Sequence, residues 1–360
     1  MKKEKILFVT QYCEYAGAPM LALNIGKEMR RQGYNVFCIC MGYGELYPKM
    51  LKIMPTVILP IHFPMKFVVT LFKMLGYSRV LVNTTMGAYI VPYAKKADMS
   101  VVTLVHELPS VIAANKIKNV AKNVVRYSDK IVFACNYVKR RYPDNSLIRE
   151  NQACIIPQGL YKKFKSYTDE EIKKIRHSLG IPDGNKIVLG VGMGYHRKGI
   201  DLFSRVARKT QMNDSSVSFV WVGCFEHEKS MLAMGKRAGV IFVDNTDEVD
   251  RYFSIADVFL MTSREDPFPS VVLEALYFGL HAIGFNNAGG FCELPKEYVS
   301  LVDFEDIDAM KEKLSDVIYG KTEIEYCRRN GRNFIKKNYN FSMYVKKLLN
   351  CFKDIQSDRR

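Results

Sequence analysis

Apolar residues in this chain fall into short, nearly continuous runs rich in Val, Ile and Phe, separated by longer segments in which they recur at helical spacing. Such runs predict strands covered on both faces, and their alternation with helix-length segments predicts parallel sheets built from strand–helix–strand units. In the first half, strands are expected at Ile6–Thr10, Asn35–Cys40, Val80–Asn83, Val101–Val105 and Lys130–Ala134. The pattern restarts at Lys186–Val191 and continues through Val217–Val222, Val240–Val243, Val258–Met261, His281–Phe285 and Ser300–Val302. Ala153–Tyr167, with Pro157, Gly159 and a cluster of lysines, reads as a linker. Beyond Glu305 the chain turns helical over Ile307–Tyr319, Thr322–Tyr339 and Met343–Ile355. Tyr344, Leu348, Leu349 and Phe352 of the last segment share a face that must be buried.

The fold class expected is therefore α/β, with two Rossmann-like domains facing each other across a cleft. The domains span residues 1–155 and 156–340, and residues 341–360 form a C-terminal helix that crosses back to the first. A chain of 360 residues is long enough for two cores of ordinary size. Ligands of doubly wound sheets bind at the carboxyl ends of the strands, which places any site in that cleft.

Composition narrows the setting. The chain is 48% hydrophobic and 25% charged, as in globular proteins, with no internal repeat. The opening MKKEKILFVT runs from charge straight into a strand-like segment, unlike a secretory signal. The most apolar stretch, Met54–Phe72, contains Pro55, Pro60, Pro64 and Lys66 and makes a poor spanning helix. Nine cysteines without a CxxC pair fit reduced thiols used in packing. The expected location is cytoplasmic. Charge is unevenly spread: residues 1–155 hold 22 Lys+Arg against 9 Asp+Glu, and most of the net +16 lies there. That field attracts anionic lipid, nucleic acid or a phosphorylated substrate.

The chemically most specific segment is Ser263–Gly279, SREDPFPSVVLEALYFG. Its prolines stop before a helix that starts near Ser270, so the backbone N–H groups of Ser270, Val271 and Val272 are expected to be unpaired beside Pro269, where they and the helix dipole suit a diphosphate. Glu274, one turn in, needs a partner if buried, and a ribose diol would serve. The competing reading is a helix with acidic residues near its positive end and Glu274 on a solvated face. A second segment, GVGMGYHRKGIDLF (Gly190–Phe203), leaves a strand and enters a helix, with Arg197 and Lys198 placed to clamp a diphosphate and stabilise charge on a leaving group. The dinucleotide fingerprint GxGxxG fails here: Tyr195 stands at its third glycine, and Gly223–Cys224 ends the next strand without a ribose-binding acid. Asp306-Ile-Asp308, the one DxD spacing, opens a helix and reads as capping rather than as a metal site.

The DPF and VVLEA elements, with seven residues between Asp266 and Glu274, resemble the acidic signature of glycosyltransferase family 4. The resemblance covers nearly the whole chain and implies the GT-B architecture and retaining, metal-independent transfer of a sugar from a nucleotide-sugar donor. It implies that Glu274 holds the ribose and that Asp266, rather than Glu265, meets the sugar hydroxyls. Tyr15–Pro19 (YAGAP) resembles the family's glycine-containing loop, bringing Gly17 and Ala18 close to the donor. His106, at the end of Val101–Val105, matches a histidine that contacts the donor sugar. Where the family usually carries an arginine after the glycine matching Gly192, this chain has Met193, and Arg197 is expected to supply that charge. Pro157–Gly159 and Gly289–Gly290 match turns that read as structural.

The function so implied is transfer from a UDP- or GDP-sugar to a saccharide or polyprenyl-linked acceptor in surface-polysaccharide or glycolipid assembly, with no cofactor and no metal. A sugar-nucleotide epimerase of the same architecture is the enzyme alternative. A nucleic-acid binder is the other, disfavoured because aromatics are not interleaved with the basic residues. Ala113–Tyr127 is expected to be one basic amphipathic helix, with Ile117, Val120, Ala121 and Val124 on one face and Lys118, Lys122 and Arg126 on another. Two uses stay open for it: peripheral contact with an anionic membrane at its inner face, or a solvated helix covering the sheet.

Overall fold

The computed structural model describes residues 3–223 and 229–358; Cys224, named above, lies outside the described residues. Two compact units emerge, residues 1–161 with 341–360, and residues 162–340.

The first unit holds strands β1 (Lys5–Tyr12), β2 (Asn35–Gly42), β3 (Thr56–Ile58), β4 (Arg79–Asn83), β5 (Ser100–Val105), β6 (Lys130–Phe133) and β7 (Ala153–Ile155). Its helices in chain order are α1 (Gly17–Arg31), α2 (Tyr47–Ile53), α3 (Met65–Met74), α4 (Val91–Lys96), α5 (Pro109–Ala114), α6 (Lys118–Tyr127) and α7 (Asn136–Arg141). The strands form one sheet in the order β3-β2-β1-β4-β5-β6-β7, parallel throughout. β4 and β5 are buried at every position, which is why their sequences are continuous apolar runs instead of alternating ones.

The second unit restarts the same scheme with β8 (Lys186–Val191), β9 (Val217–Val222), β10 (Val240–Val243), β11 (Val258–Met261), β12 (His281–Phe285) and β13 (Val299–Val302), ordered β10-β9-β8-β11-β12-β13 and again parallel. Helices α8 (Asp169–Ser178), α9 (Ile200–Gln211), α10 (Lys229–Arg237), α11 (Asp250–Ile255), α12 (Ser270–Tyr277), α13 (Ile307–Gly320) and α14 (Thr322–Asn338) connect or follow the strands. The last helix, α15 (Phe341–Asp358), packs in the core of the first unit, where Tyr344, Val345, Leu348, Leu349, Phe352 and Ile355 are all buried with Phe8, Ile25 and Leu104. Asp306 caps α13, its side chain accepting from the Ala309 amide at 2.9 Å, and Asp308 pairs with Lys209.

Two expectations change here. Ala153–Ile155 is not linker but strand β7, because its backbone completes the ladder of β6; Ile156 follows it into the first core. Tyr161 packs its ring on Phe341 at 5.5 Å, and the division between units falls after it. The single helix over Ala113–Tyr127 is two, α5 and α6, broken where Lys116 takes φ +55°. Ile117, Val120, Ala121 and Val124 are buried within the first unit, so this apolar face has no surface to offer a lipid; Lys118, Lys122 and Arg126 are its solvated side. Among the described residues no helix is long and apolar enough to cross a membrane.

Candidate functional site

In each sheet the chain reverses its direction of winding beside the first strand: between β1 and β4 in one unit, between β8 and β11 in the other. Loops leaving the carboxyl ends of such a strand pair diverge to opposite faces and leave room for a ligand. Every candidate residue lies on a segment that follows one of these strands or, for His106, the adjacent β5.

In the second unit, the loop after β8 closes a short helical turn over His196–Lys198 and enters α9 through Gly199. Only glycine fits there: its φ is +68°, and a Cβ would stand 1.9 Å from the Thr262 carbonyl oxygen. This close approach joins the Arg197–Lys198 turn to the segment after β11. Lys198 Nζ is paired with Asp266 Oδ2, and Arg197 stands 4.0 Å from the same oxygen while donating to the Glu265 carbonyl at 2.6 Å. Asp266 is buried, and its backbone is gripped by Gly289, where a Cβ would meet the Asp266 carbonyl oxygen at 1.7 Å and φ is +144°. The glycine pair after β12 thus sets the position of the carboxylate. Arg264 has a supporting place: it forks onto Asp201 with two 2.7 Å bonds and also reaches Glu305 and the His196 carbonyl.

Helix α12 begins at Ser270 after Pro269, with no side-chain cap. Of the three amides expected to be open, Val272 is not: it donates to the Pro269 carbonyl at 3.1 Å, tightening the first turn. Ser270 and Val271 carry no such bond among the described residues. Glu274 is 1% exposed, and its Oε2 accepts from Lys162 Nζ at 2.8 Å. The partner that burial demanded is a lysine of the same unit, which the sequence reading passed over as one of several linker lysines. Burial still holds the Glu274 carboxyl above the usual carboxylate range, and Lys162 opposes that shift. Glu274 Oε1 takes no hydrogen bond among the described residues, so one carboxylate oxygen stays available to a hydroxyl donor.

In the first unit, α1 starts at Gly17 without a side-chain cap, and the Gly17 and Ala18 amides have no backbone partner among the described residues. A Cβ on Gly17 would meet nothing within 4 Å. Packing therefore does not require glycine, in contrast to Gly199 and Gly289. His106 follows β5, its Nε2 lying 3.2 Å from Asn83 Oδ1. Asn83, the last residue of β4, donates from Nδ2 to the Ala18 carbonyl at 3.0 Å and to Thr10 at 3.2 Å. A carbonyl can only accept, so the Asn83 amide is fixed with Oδ1 toward the histidine, and Nε2 must carry the proton. Nδ1 is left as an acceptor, and burial pushes the imidazole pKa down to about 4, so the ring is neutral at pH 7. Neighbouring Glu107 accepts from the Thr85 amide at 3.0 Å and from Met86, holding the turn after β4, where Thr84 sits at the strained φ of +92°. Asn83 is the positioning residue the sequence reading missed; a polar residue ending an otherwise apolar strand was its signal.

A folded pKa below the ordinary 6.5 means that the unfolded chain binds this proton more readily. The stability contributed by neutral His106 is complete above about pH 6.5 and is lost as the pH falls toward 4. An NMR titration of the imidazole is accordingly expected to show no step near pH 6.5 from this residue. Asn83→Asp, which sets a carboxylate against Nε2, is expected to raise that titration by about one to three units, into a range of about pH 5–7. Identical profiles for the two proteins between pH 4 and 8 would contradict the Asn83–His106 assignment.

The family model for glycosyl transferases group 1 matches residues 171–334. The chain is 27% identical over 210 residues to the alpha-galactosylglucosyldiacylglycerol synthase of Streptococcus pneumoniae, a match covering 52% of this chain and 54% of that protein. An uncharacterized glycosyltransferase of Haemophilus influenzae is 25% identical over 167 residues, 45% of this chain and 47% of its own length. The chain thus spans about half the length of the curated relatives it matches. Among solved structures, Anabaena HepE in complex with UDP superposes with a TM-score of 0.83 at 16% identity, covering 97% of this chain and 99% of that one. A glycosyltransferase of Rickettsia africae gives 0.81 at 18% identity, with 99% of each chain covered. Residues 171–334 are a glycosyl transferases group 1 domain, in a chain whose two parallel-sheet α/β units have the fold of GT-B glycosyltransferases.

Proposed function

We propose that this protein is a retaining, metal-independent glycosyltransferase of family 4, which moves a sugar from a UDP- or GDP-sugar to a saccharide or lipid-linked acceptor in surface-polysaccharide or glycolipid assembly. The observation that carries the reading is the cluster of the second unit: Arg197, Lys198 and Asp266 joined across the ends of β8 and β11, with the Ser270 and Val271 amides and Glu274 opening the next helix. Loss of a nucleoside diphosphate from an anomeric carbon puts negative charge on the leaving group. Two cations and two helix-start amides stabilise that charge without a metal ion. Asp266 keeps Lys198 in place and meets sugar hydroxyls; the free oxygen of Glu274 accepts from the ribose. His106 is proposed to accept a hydrogen bond from a sugar hydroxyl at Nδ1, and the Gly17–Ala18 amides to approach the donor. Front-face attack of the acceptor, aided by the leaving phosphate, requires no nucleophile from the protein.

UDP comes first among the nucleotides because HepE was solved with UDP and with UDP-glucose. A lipid-linked acceptor is favoured by the glycolipid-forming streptococcal relative. Thermal-shift titration with UDP, GDP and ADP tests the donor half. One nucleotide is expected to stabilise the protein by about 3 kcal/mol at a hundred times its Kd. Glu274→Ala, with its fold intact by circular dichroism, is expected to weaken that binding about 10- to 100-fold. No response to any of the three, or unchanged affinity in Glu274→Ala, would remove the donor assignment. Interconversion of the nucleotide sugar without transfer to an acceptor would instead identify an epimerase.

A further inference from the structure

With the apolar face of α6 turned into the core, the first unit has a different face with the character of a lipid-binding surface. Helix α3 buries Met65, Val68, Val69 and Phe72 against its own unit. Its other face is not polar: Phe67 is 71% exposed, Leu71 50% and Met74 74%. Phe63 before the helix and Leu75 after it are also exposed. Within the helix, residues 67, 71 and 74 recur at intervals of four and three, the spacing of one helical stripe, and Phe63 precedes it in the chain. Large apolar side chains clustered outward on a short helix are costly in water and mark a surface that something covers.

The charge around the stripe identifies what covers it. From Leu46 to Ala97 the chain has no Asp or Glu and seven Lys or Arg, of which Lys95 is paired with Asp129 and Lys73 Nζ is held on the Asp98 carbonyl at 2.8 Å. Lys66 and Lys73 lie exposed on one flank of the stripe. At its far end a hollow of about 430 Å³ is lined by Met74 and Leu75 together with Lys3, Lys5, Arg79 and a single acid, Glu4. Arg79 pairs with Glu4, so the hollow keeps the net charge of two lysines. A protein partner would match an apolar stripe with its own apolar surface and has no need of this one-sided charge. Acyl chains beside phosphate head groups need both.

We propose that α3 is the membrane-docking element of this protein: Phe63, Phe67, Leu71 and Met74 enter the acyl boundary of an anionic bilayer, while Lys66, Lys73 and the Lys3–Lys5 hollow meet lipid phosphates. At ten residues the helix lies in the interface and does not cross it. The proposal deepens the lipid-acceptor part of the function above but does not depend on the donor chemistry, so a protein that binds UDP and ignores vesicles would fail here alone.

The experiment is co-sedimentation of the full chain with extruded phosphatidylglycerol and phosphatidylcholine vesicles, at low and high salt. Binding to phosphatidylglycerol that weakens with salt is expected, and little binding to phosphatidylcholine. Phe67→Ser with Leu71→Ser, both on exposed positions, is expected to reduce partitioning more than about tenfold without altering the circular-dichroism spectrum or the nucleotide-induced thermal shift. Lys3→Glu with Lys66→Glu is expected to abolish the preference for phosphatidylglycerol. Absence of vesicle binding, or undiminished binding by the double serine variant, overturns the proposal. So does sedimentation of the unaltered protein as a dimer that the serine variant dissociates while vesicle binding persists, because the stripe would then serve a second copy.

Discussion

Lys198→Ala is expected to lower the rate of sugar transfer about 10²- to 10³-fold, a loss of roughly 3–4 kcal/mol of transition-state stabilisation. Lys198 is the cation on the Arg197–Lys198 turn that is held firmly, its side chain 17% exposed and paired with Asp266. Negative charge on the diphosphate increases as the sugar departs, so the loss should fall more heavily on kcat than on affinity for the donor. Arg197, at 4.0 Å from Asp266, is left to compensate in part, which bounds the effect. Steady-state kinetics with the donor identified by thermal shift measures both terms. A variant that retains the kcat of the unaltered protein would mean that Lys198 serves only to neutralise buried Asp266.

Phe352→Ala is expected to destabilise the first unit by about 3–5 kcal/mol, the range for deleting a large aromatic ring from a closed core. Phe352 is fully buried on α15, among Leu348, Val345 and Leu349, with the Arg79 guanidinium 5.9 Å from its ring. The two units have separate cores, so urea unfolding followed by unit-specific probes should show an earlier transition for the first unit and an unmoved one for the second. Nucleotide binding, proposed for the second unit, should survive in the folded variant below that earlier transition. A single transition shifted as a whole would show the units to unfold as one.

The correspondence between sequence and structure has a pattern. Eleven strands were legible because a strand buried on both faces has to be a continuous apolar run, and such runs stand out between helices. Thr56–Ile58 and Ala153–Ile155 escaped: each is three residues long at a sheet edge and is a strand only because β2 or β6 offers it a ladder. Val272 shows the same limit at a single atom, since the bond to Pro269 depends on how tightly the first turn of α12 winds. The Ala113–Tyr127 periodicity was real, yet it did not reveal the break at Lys116 or that the apolar side faces the core.

By itself the sequence determined that there are two parallel-sheet units and that α15 must bury Tyr344, Leu348, Leu349 and Phe352, and it pointed to Arg197–Lys198 and Asp266–Glu274 as the segments proposed to carry the chemistry. These follow from local patterns, in which periodicity and spacing along the chain carry the physics. Only the tertiary structure decided that Lys162 is the partner of Glu274, 112 positions away; that Asn83 fixes the proton of His106; that Gly289 holds Asp266; and that α3 rather than α6 turns apolar residues outward. Each of those is a contact between segments distant in sequence, and no local pattern records which distant side chain burial will bring within hydrogen-bond reach.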